Sequence, residues 1–447
     1  MNRRSFLKLF AATGAASTAS LPVLRALANP SGVEESFIVI HASGGWDVSL
    51  WADPRNARVG LVDPATDEVV ETAGIRHWTP KPLGDGTSSF ELVRRGALTL
   101  GPVMGNLTDR ADRLTLVNGI AMDTVSHRDG AFYSATGRHL AGGRAVQTSV
   151  DSVLASELGA ADLLPLVSVE FPSTFVSRTL DPRGMPLRMS RVTTAGDSVA
   201  RSDAWTTAQD RDAVTAVLAE EAADLAASSY DPVPAERMKL QYEALRRLLA
   251  DKGTGQLFDE NKLRTVAQPR FFVDGAGQRV VRRFQDTMAL NAAFAVEAIK
   301  KRVVRCVSFA VRGFDTHSAD YADAPLKYQE FFDVIATLID RLDAEGLSDR
   351  VHILVVSDFC RTPQINLRGG RDHHPNNSAL IVSPRFKGGR AFGGTDAGQL
   401  LSTNYIQEAT GARPIQPGDV IATLLAAMGI DPRAHLRDGV VMPEVLA

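Results

Sequence analysis

The stretch RVHILVVSDF, residues 350–359, joins a near-continuous apolar run to an aspartate. Such a run is typical of a β-strand that is buried on both faces, as the strands of parallel sheets are. A carboxylate at the end of a buried strand is costly unless it is paired, hydrogen-bonded or metal-bound, or unless it caps a helix. The stretch therefore predicts a buried strand that delivers Asp358 to the edge of a sheet.

Similar apolar runs recur along the chain, with helical patterns between several of them. The clearest helical pattern covers residues 321–347, where seven large apolar side chains follow helical spacing and Gly346 offers a stop. Strands that alternate with helices predict an α/β fold, a three-layer αβα sandwich with a mostly parallel sheet. The other apolar runs are SFIVIHA (36–42), RLTLVNGI (113–120), LLPLVSVEF (163–171), VVRCVSFAV (303–311) and SALIVSP (378–384).

The first 28 residues differ from the rest of the chain. Arg3 and Arg4 precede a mildly apolar, Ala-rich run that ends in Ala-Leu-Ala, which is similar to a twin-arginine (Tat) export signal cleaved after Ala28. The run is interrupted and too short for a stable membrane span of about 20 apolar residues. We therefore expect a periplasmic or extracellular protein whose partner during export is the Tat translocon.

Residues 29–447 are predicted to form one domain. Within it, residues 203–301 are rich in Ala, Glu, Arg and Leu and are periodic as helix, which predicts a helical insertion. The chain has 44% hydrophobic and 23% charged residues, as soluble globular proteins do. A net charge of −3 gives no electrostatic reason to expect binding to nucleic acid or to an anionic membrane.

Polar clusters follow four of the predicted strands. In open α/β sheets, ligands bind beyond the carboxyl ends of the strands, so we expect these clusters to converge. Imidazole nitrogen and carboxylate oxygen are ligands that zinc, manganese and iron accept. The clusters are SGGWD (43–47), SHRD (126–129), GFDTH (313–317), and Asp358 together with Asp372, His373 and His374.

The individual motifs leave alternatives open. Asp315 can cap a turn while His317 bonds to the backbone, so their Asp-x-His spacing is weak by itself. His373 and His374 are neighbours that point apart on an extended loop, so one can bind a metal while the other holds a carboxylate or a substrate. The alternative for that pair is two solvated loop histidines.

Ser126 and Arg361 are the candidates for contact with a substrate. Ser126 stands where a short helix begins, so it is first an N-cap, but backbone N–H groups at that position also favour an anion. The guanidinium of Arg361 matches a phosphate or sulfate group. Five other histidines have no motif around them and are expected to be structural or exposed: His41, His77, His139, His352 and His435.

Taken in order, the motifs resemble domain-of-unknown-function family 1501 over nearly the whole mature chain. That family is similar to the superfamily of alkaline phosphatases, sulfatases and phosphoglycerate mutases, whose sheet-edge site holds two metals. The motifs are GGWD (44–47), SHRDGAFYSATG (126–137), FDTH (314–317), SDFCRTP (357–363), GRDHHPN (370–376) and GDVIATLLAAMGIDP (418–432).

The resemblance implies roles for particular residues. The superfamily places a histidine where this chain has Phe359, so one metal is better supplied than two. Its serine or threonine nucleophile would fall on His127, with Ser126 one residue away. Either Ser126 takes that role, or His127 is a ligand or a covalent acceptor, or the chemistry is lost. The implied metal ligands are Asp47, Asp315, His317, Asp358 and His373, with Asp372 and His374 beside them.

The sequence therefore predicts an exported, metal-binding, hydrolase-like protein that cleaves phosphate or sulfate esters. It would hold one or two divalent ions, with zinc or manganese first and calcium, magnesium or iron as alternatives. The alternative function is that of a non-catalytic periplasmic binding or assembly protein that keeps the fold with a degenerate metal site.

Overall fold

The computed structural model describes most of the chain between residues 34 and 447. The predicted export signal, residues 1–28, and most of the predicted helical insertion lie outside the described residues. The described segments are 34–54, 93–159, 162–193, 256–267, 283–318, 320–363, 366–368, 370–396 and 398–447, with isolated short stretches between them.

An eight-stranded sheet forms the centre of the fold. The strands are β1 Ser36–Ser43, β2 Leu114–Ala121, β3 Leu164–Val169, β4 Leu187–Met189, β5 Val304–Arg312, β6 Val351–Ser357, β7 Asn376–Val382 and β8 Arg390–Gly393. Their order across the sheet is β8-β2-β7-β6-β1-β5-β3-β4. Within this sheet only β7 runs against its neighbours, and the other pairings are parallel.

Helices cover both faces of the sheet. Alternate residues of β1 show this, since Ile38 and Ile40 pack with the α4 and α5 layer while Phe37 and Val39 pack with the α1, α2 and α6 layer. The predicted three-layer αβα sandwich with a mostly parallel sheet is thereby confirmed. The helices are α1 His127–Thr136, α2 Val150–Leu158, α3 Glu260–Ala267, α4 Arg283–Lys300, α5 Asp320–Ala344 and α6 Pro417–Ala427.

Helix α5 matches the helix predicted over residues 321–347. Its apolar stripe, including Phe331, Ile335 and Ile339, is fully buried. Gly346 follows the helix with a φ of 64°, a left-handed conformation that glycine adopts without steric cost. Among the described residues, no helix is both long enough and apolar enough to cross a membrane.

The strand directions decide where a site can form. Strands β1, β2, β5 and β6 all end at the same edge of the sheet, and the antiparallel strand β7 begins there. The segments that follow residues 43, 121, 312 and 357, and the segment that precedes residue 376, therefore meet at this edge.

Candidate metal centre

Four side chains from three segments converge at this edge. One ligand atom from each of them lies within 4.8 Å of every other. His127 is the first residue of α1, Asp315 and His317 lie in the loop after β5, and His373 lies just before β7. We call these four residues the sheet-edge cluster. Three of them, Asp315, His317 and His373, are ligands that the sequence predicts.

The hydrogen bonds of the three imidazoles fix which nitrogen faces the cluster. Each Nδ1 lies within hydrogen-bonding distance of a carboxylate or carbonyl oxygen, so a neutral ring carries its proton on Nδ1 and leaves Nε2 bare. Imidazoles that bind metals usually donate their other N–H in this way. The contacts are His127 Nδ1 to Asp358 Oδ2 at 2.7 Å, His317 Nδ1 to Asp372 Oδ1 at 2.8 Å and His373 Nδ1 to the carbonyl oxygen of Val125 at 2.7 Å.

The spacing of the inward-facing atoms fits a single ion. His317 Nε2 lies 2.8 Å from His373 Nε2 and 3.3 Å from Asp315 Oδ1, while His127 Nε2 lies 3.6 Å from the same Asp315 oxygen. Ligands held about 2.0–2.1 Å from one tetrahedral ion are themselves about 3.3–3.4 Å apart. Among the described residues, the buried His127 Nε2 has no hydrogen-bond partner. The donor set therefore fits a transition-metal ion.

Two carboxylates, that of Asp315 in the cluster and that of Asp358 beside it, bring negative charge to the site. Burial raises the pKa of Asp358, but His41, His127 and the backbone N–H of Gly44 lower it more, to about 2. Burial also raises the pKa of Asp315, and the hydrogen bond and charge of Arg361 bring it below its ordinary value. Both groups are thus ionised at neutral pH, which favours a cation between the imidazoles.

Arg361 contacts the cluster from the interior of the protein and is not placed to hold a substrate. The side chain is fully buried, and its Nη2 lies 2.6 Å from Asp315 Oδ1. It also donates to the carbonyls of Gly45 at 2.8 Å and Arg371 at 3.1 Å, and to that of Gly44. With its donors engaged in this way, the guanidinium has no exposed face for an anion. The sequence predicts that Arg361 contacts a phosphate or sulfate group, and the structure places its guanidinium against Asp315 and three backbone carbonyls.

Phe359 forms one wall of the cluster. Its buried ring lies 4.7 Å from the ring of His127 and 4.5 Å from that of His373, measured between centroids. Gly45 permits this packing, because a Cβ at that residue would come within 2.5 Å of the Phe359 ring. The aromatic side chain therefore holds two of the imidazoles from one side.

Asp47 does not join the cluster, contrary to the prediction from sequence. It is fully buried, and its Oδ2 lies 3.0 Å from Nη1 of the equally buried Arg371. Its Oδ1 accepts hydrogen bonds from the backbone and hydroxyl of Ser49, so that Asp47 caps the 3₁₀ turn Val48–Leu50. The carboxylate is thus paired with a buried arginine and with the turn, although its Oδ2 makes no regular hydrogen bond among the described residues.

Three further predicted ligands lie around the cluster and not in it. Asp358 and Asp372 each hold an imidazole, as described above, and contribute no ligand atom to the group. His374 is buried with its Nε2 3.1 Å from the carbonyl of Leu400, and burial lowers its pKa. Ser126 is exposed at the N-terminus of α1, and its side chain makes no capping hydrogen bond.

His41 is a site residue that the sequence interpretation missed. Its Nε2 lies 2.9 Å from Asp358 Oδ1, and both side chains are buried. No motif surrounds it, but it shares a face of β1 with Phe37 and Val39. A polar ring in an apolar row needs a buried partner, and this pattern was the available signal.

This chain resembles solved structures over most of its length, at low sequence identity. The PsFucS1 sulfatase from Pseudoalteromonas sp. is 12% identical, with 95% of this chain and 74% of that chain covered and a TM-score of 0.40. The lipoteichoic acid synthase LtaP from Listeria monocytogenes is 8% identical, with 92% and 75% covered and a TM-score of 0.37. Likeness at this level leaves the site to be judged on its own geometry.

Sequence comparison identifies the family. No curated protein matches the chain. The family model described as "Protein of unknown function (DUF1501)" matches residues 34–439, which covers the sheet, both helical layers and every residue of the sheet-edge cluster. The chain therefore belongs to the DUF1501 family.

Proposed function

We propose that the protein is a metal-dependent hydrolase of phosphate or sulfate esters, with one zinc or manganese ion held by the sheet-edge cluster. The observation that carries this proposal is the convergence of three bare Nε2 atoms whose rings are fixed through Nδ1. The Nε2 atoms of His317 and His373 lie 2.8 Å apart, a contact that is favourable when one ring donates a proton to the other or when a metal ion binds both. When bound, a metal ion supplies Lewis-acid polarisation and lowers the pKa of a bound water.

The surrounding residues suit an anionic substrate. Helix α1 begins at the cluster, and the N–H groups at a helix N-terminus favour negative charge. The side chain of Asp315 is half exposed, so the cluster is open to solvent on that side. The three imidazoles and the Asp315 carboxylate would hold the ion, and a water or a substrate oxygen would reach it from the exposed side of Asp315. The exposed Ser126 is available to contact the substrate.

Elemental analysis and an ester assay test this function together. Protein purified without chelator is expected to contain about one metal ion per chain and to hydrolyse 4-nitrophenyl phosphate or sulfate. His373→Ala is expected to lose both metal and turnover, because His373 supplies one of the inward Nε2 atoms. His374→Ala is the matched control, since this neighbouring imidazole lies outside the cluster.

The outcomes separate the two functions that the sequence leaves open. Metal and turnover that are both lost in His373→Ala support the hydrolase. Stoichiometric metal without turnover on any ester supports the non-catalytic binding or assembly protein with the same fold. Wild-type protein that binds no metal contradicts both.

We also propose that the protein is exported by the Tat route to the periplasm or beyond. The support is the Arg3-Arg4 pair before an Ala-rich run that ends at Ala28. Arg3→Lys combined with Arg4→Lys is expected to retain the protein in the cytoplasm of a bacterial host, as followed by cell fractionation. Unchanged export of this double variant would contradict the proposal.

A further inference from the structure

His41 occupies an unusual place in the central strand of the sheet. On its face of β1 the preceding side chains are Phe37 and Val39, which pack into the apolar layer beneath α1, α2 and α6. The imidazole is 1% exposed, and the ring of Phe171 meets it edge-on at 6.1 Å. Its close polar contact with Asp358 is the one that links it to the cluster.

Asp358 divides its two oxygens between His41 and the cluster. Oδ1 lies 2.9 Å from His41 Nε2, a close contact that is not aligned as a regular hydrogen bond. Oδ2 lies 2.7 Å from His127 Nδ1 and accepts the N–H of Gly44 at 3.0 Å. Because Asp358 is 1% exposed, water does not replace either contact freely. The carboxylate is therefore held from both ends.

Removal of His41 would take away the close contact, 2.9 Å, that Oδ1 of this buried carboxylate makes with the imidazole. The group would then turn, or admit water, to recover a donor, because an unsatisfied buried charge is costly. Either change would move Oδ2 relative to His127 Nδ1. The ring of His127 would lose the contact that fixes its tautomer and aims its Nε2 at the cluster.

We infer that His41 is a positioning residue of the metal centre, acting through Asp358 on His127 to raise the affinity of the sheet-edge cluster for its ion. The inference rests on the proposed metal centre. His41 itself touches neither ion nor substrate. Loss of the hydrogen-bond partner of a metal-binding histidine typically lowers the affinity for the metal 10–100-fold. His41 lies one contact further from the ion than such a partner does, so we expect its removal to lower the metal affinity about 10-fold.

Zinc affinity, measured by competition with a chelator, tests the inference. His41→Ala is expected to bind zinc about 10-fold more weakly than wild type. His41→Gln is expected to recover part of the loss, because its amide can donate to Asp358 Oδ1, and it carries the test if the alanine variant does not fold. In an Asp358→Asn background, His41→Ala is expected to add little further loss.

His352→Ala is the matched control. His352 is also buried and also pairs with a carboxylate, since its Nε2 lies 2.9 Å from Glu35 Oε2, but it stands near the start of β6 at the opposite edge of the sheet. Thermal unfolding of the metal-free proteins shows how much each substitution destabilises the fold. We expect His352→Ala to lower stability and to leave zinc affinity unchanged.

The outcomes distinguish this inference from the proposed function. If the wild type binds no zinc or other divalent metal, the metal centre itself is refuted. If the wild type binds zinc and His41→Ala binds it equally well, the centre stands and the role of His41 is overturned. Equal losses of affinity in His41→Ala and His352→Ala would overturn that role as well, because the effect would then follow from general destabilisation.

Discussion

His317→Ala is expected to abolish stoichiometric metal binding while the chain still folds. Its Nε2 lies close to two other members of the sheet-edge cluster, 2.8 Å from His373 Nε2 and 3.3 Å from Asp315 Oδ1. The side chain is 39% exposed, so its removal opens no cavity in the core. Removal of a residue that binds the ion directly should lower the metal affinity by more than the roughly 10–100-fold seen when only a hydrogen-bond partner of a ligand is removed. Elemental analysis and zinc competition measure the loss.

His139→Ala serves as the control for this variant. His139 has nearly the same exposure, 40%, and its Nδ1 likewise pairs with a carboxylate, that of Asp129 at 2.8 Å. It lies outside the cluster, so its removal should leave metal content unchanged. A His317→Ala protein that keeps one ion at wild-type affinity would show that the metal binds elsewhere.

Asp47→Asn is expected to destabilise the fold strongly and to leave metal binding intact. Asp47 and Arg371 are both fully buried with their charges 3.0 Å apart. When one partner of a buried ion pair is removed, the other is left uncompensated, which typically costs about 3–5 kcal/mol. Denaturant unfolding measures this free energy, and elemental analysis measures metal content. If Asp47 were a metal ligand, as the sequence predicts, metal would be lost as well, which would contradict the structural role.

Asp431→Asn is the corresponding surface control. Asp431 also caps a short 3₁₀ turn, Pro432–Ala434, and also pairs with an arginine, Arg433 at 3.2 Å, but the arginine side chain is 54% exposed. Exposed pairs contribute about 0–1 kcal/mol at most. If Asp431→Asn lowers the free energy of unfolding as much as Asp47→Asn does, the destabilisation comes from loss of the turn cap and not from loss of the buried charge pair.

The interior of the fold could be predicted from sequence because its strands are near-continuous apolar runs. The run at 350–359 became β6, Val351–Ser357, and the run at 36–42 became β1, Ser36–Ser43. Strand direction carries no such signal, since the run that forms the antiparallel β7 looks like its parallel neighbours. The edge strand β8, Arg390–Gly393, escaped prediction because its residues are exposed or half-buried and lack an apolar run.

The proposed ligands could be recognised in the sequence where they stand in compact motifs at strand ends, as Asp315, His317 and His373 do. Asp47 occupies an equivalent strand-end position, but its partner Arg371 is 324 residues away in the chain, so no local pattern shows that its charge is already neutralised. His127 was open between two roles, because a helix N-terminus suits both a ligand and a substrate contact. Which carboxylates bind the ion and which orient the imidazoles depends on distances that only the folded chain sets.

The order in which the ligands occur along the chain has a consequence for biosynthesis. His373 bonds to a carbonyl 248 residues earlier, that of Val125, beside His127. The ribosome must therefore complete more than four-fifths of the chain before the last imidazole exists, and a truncated product that ends before His373 lacks the centre. An ion that binds only the finished state stabilises it by mass action. If the proposed centre forms, metal content would report the molecules in which the chain extends past His373 and has folded.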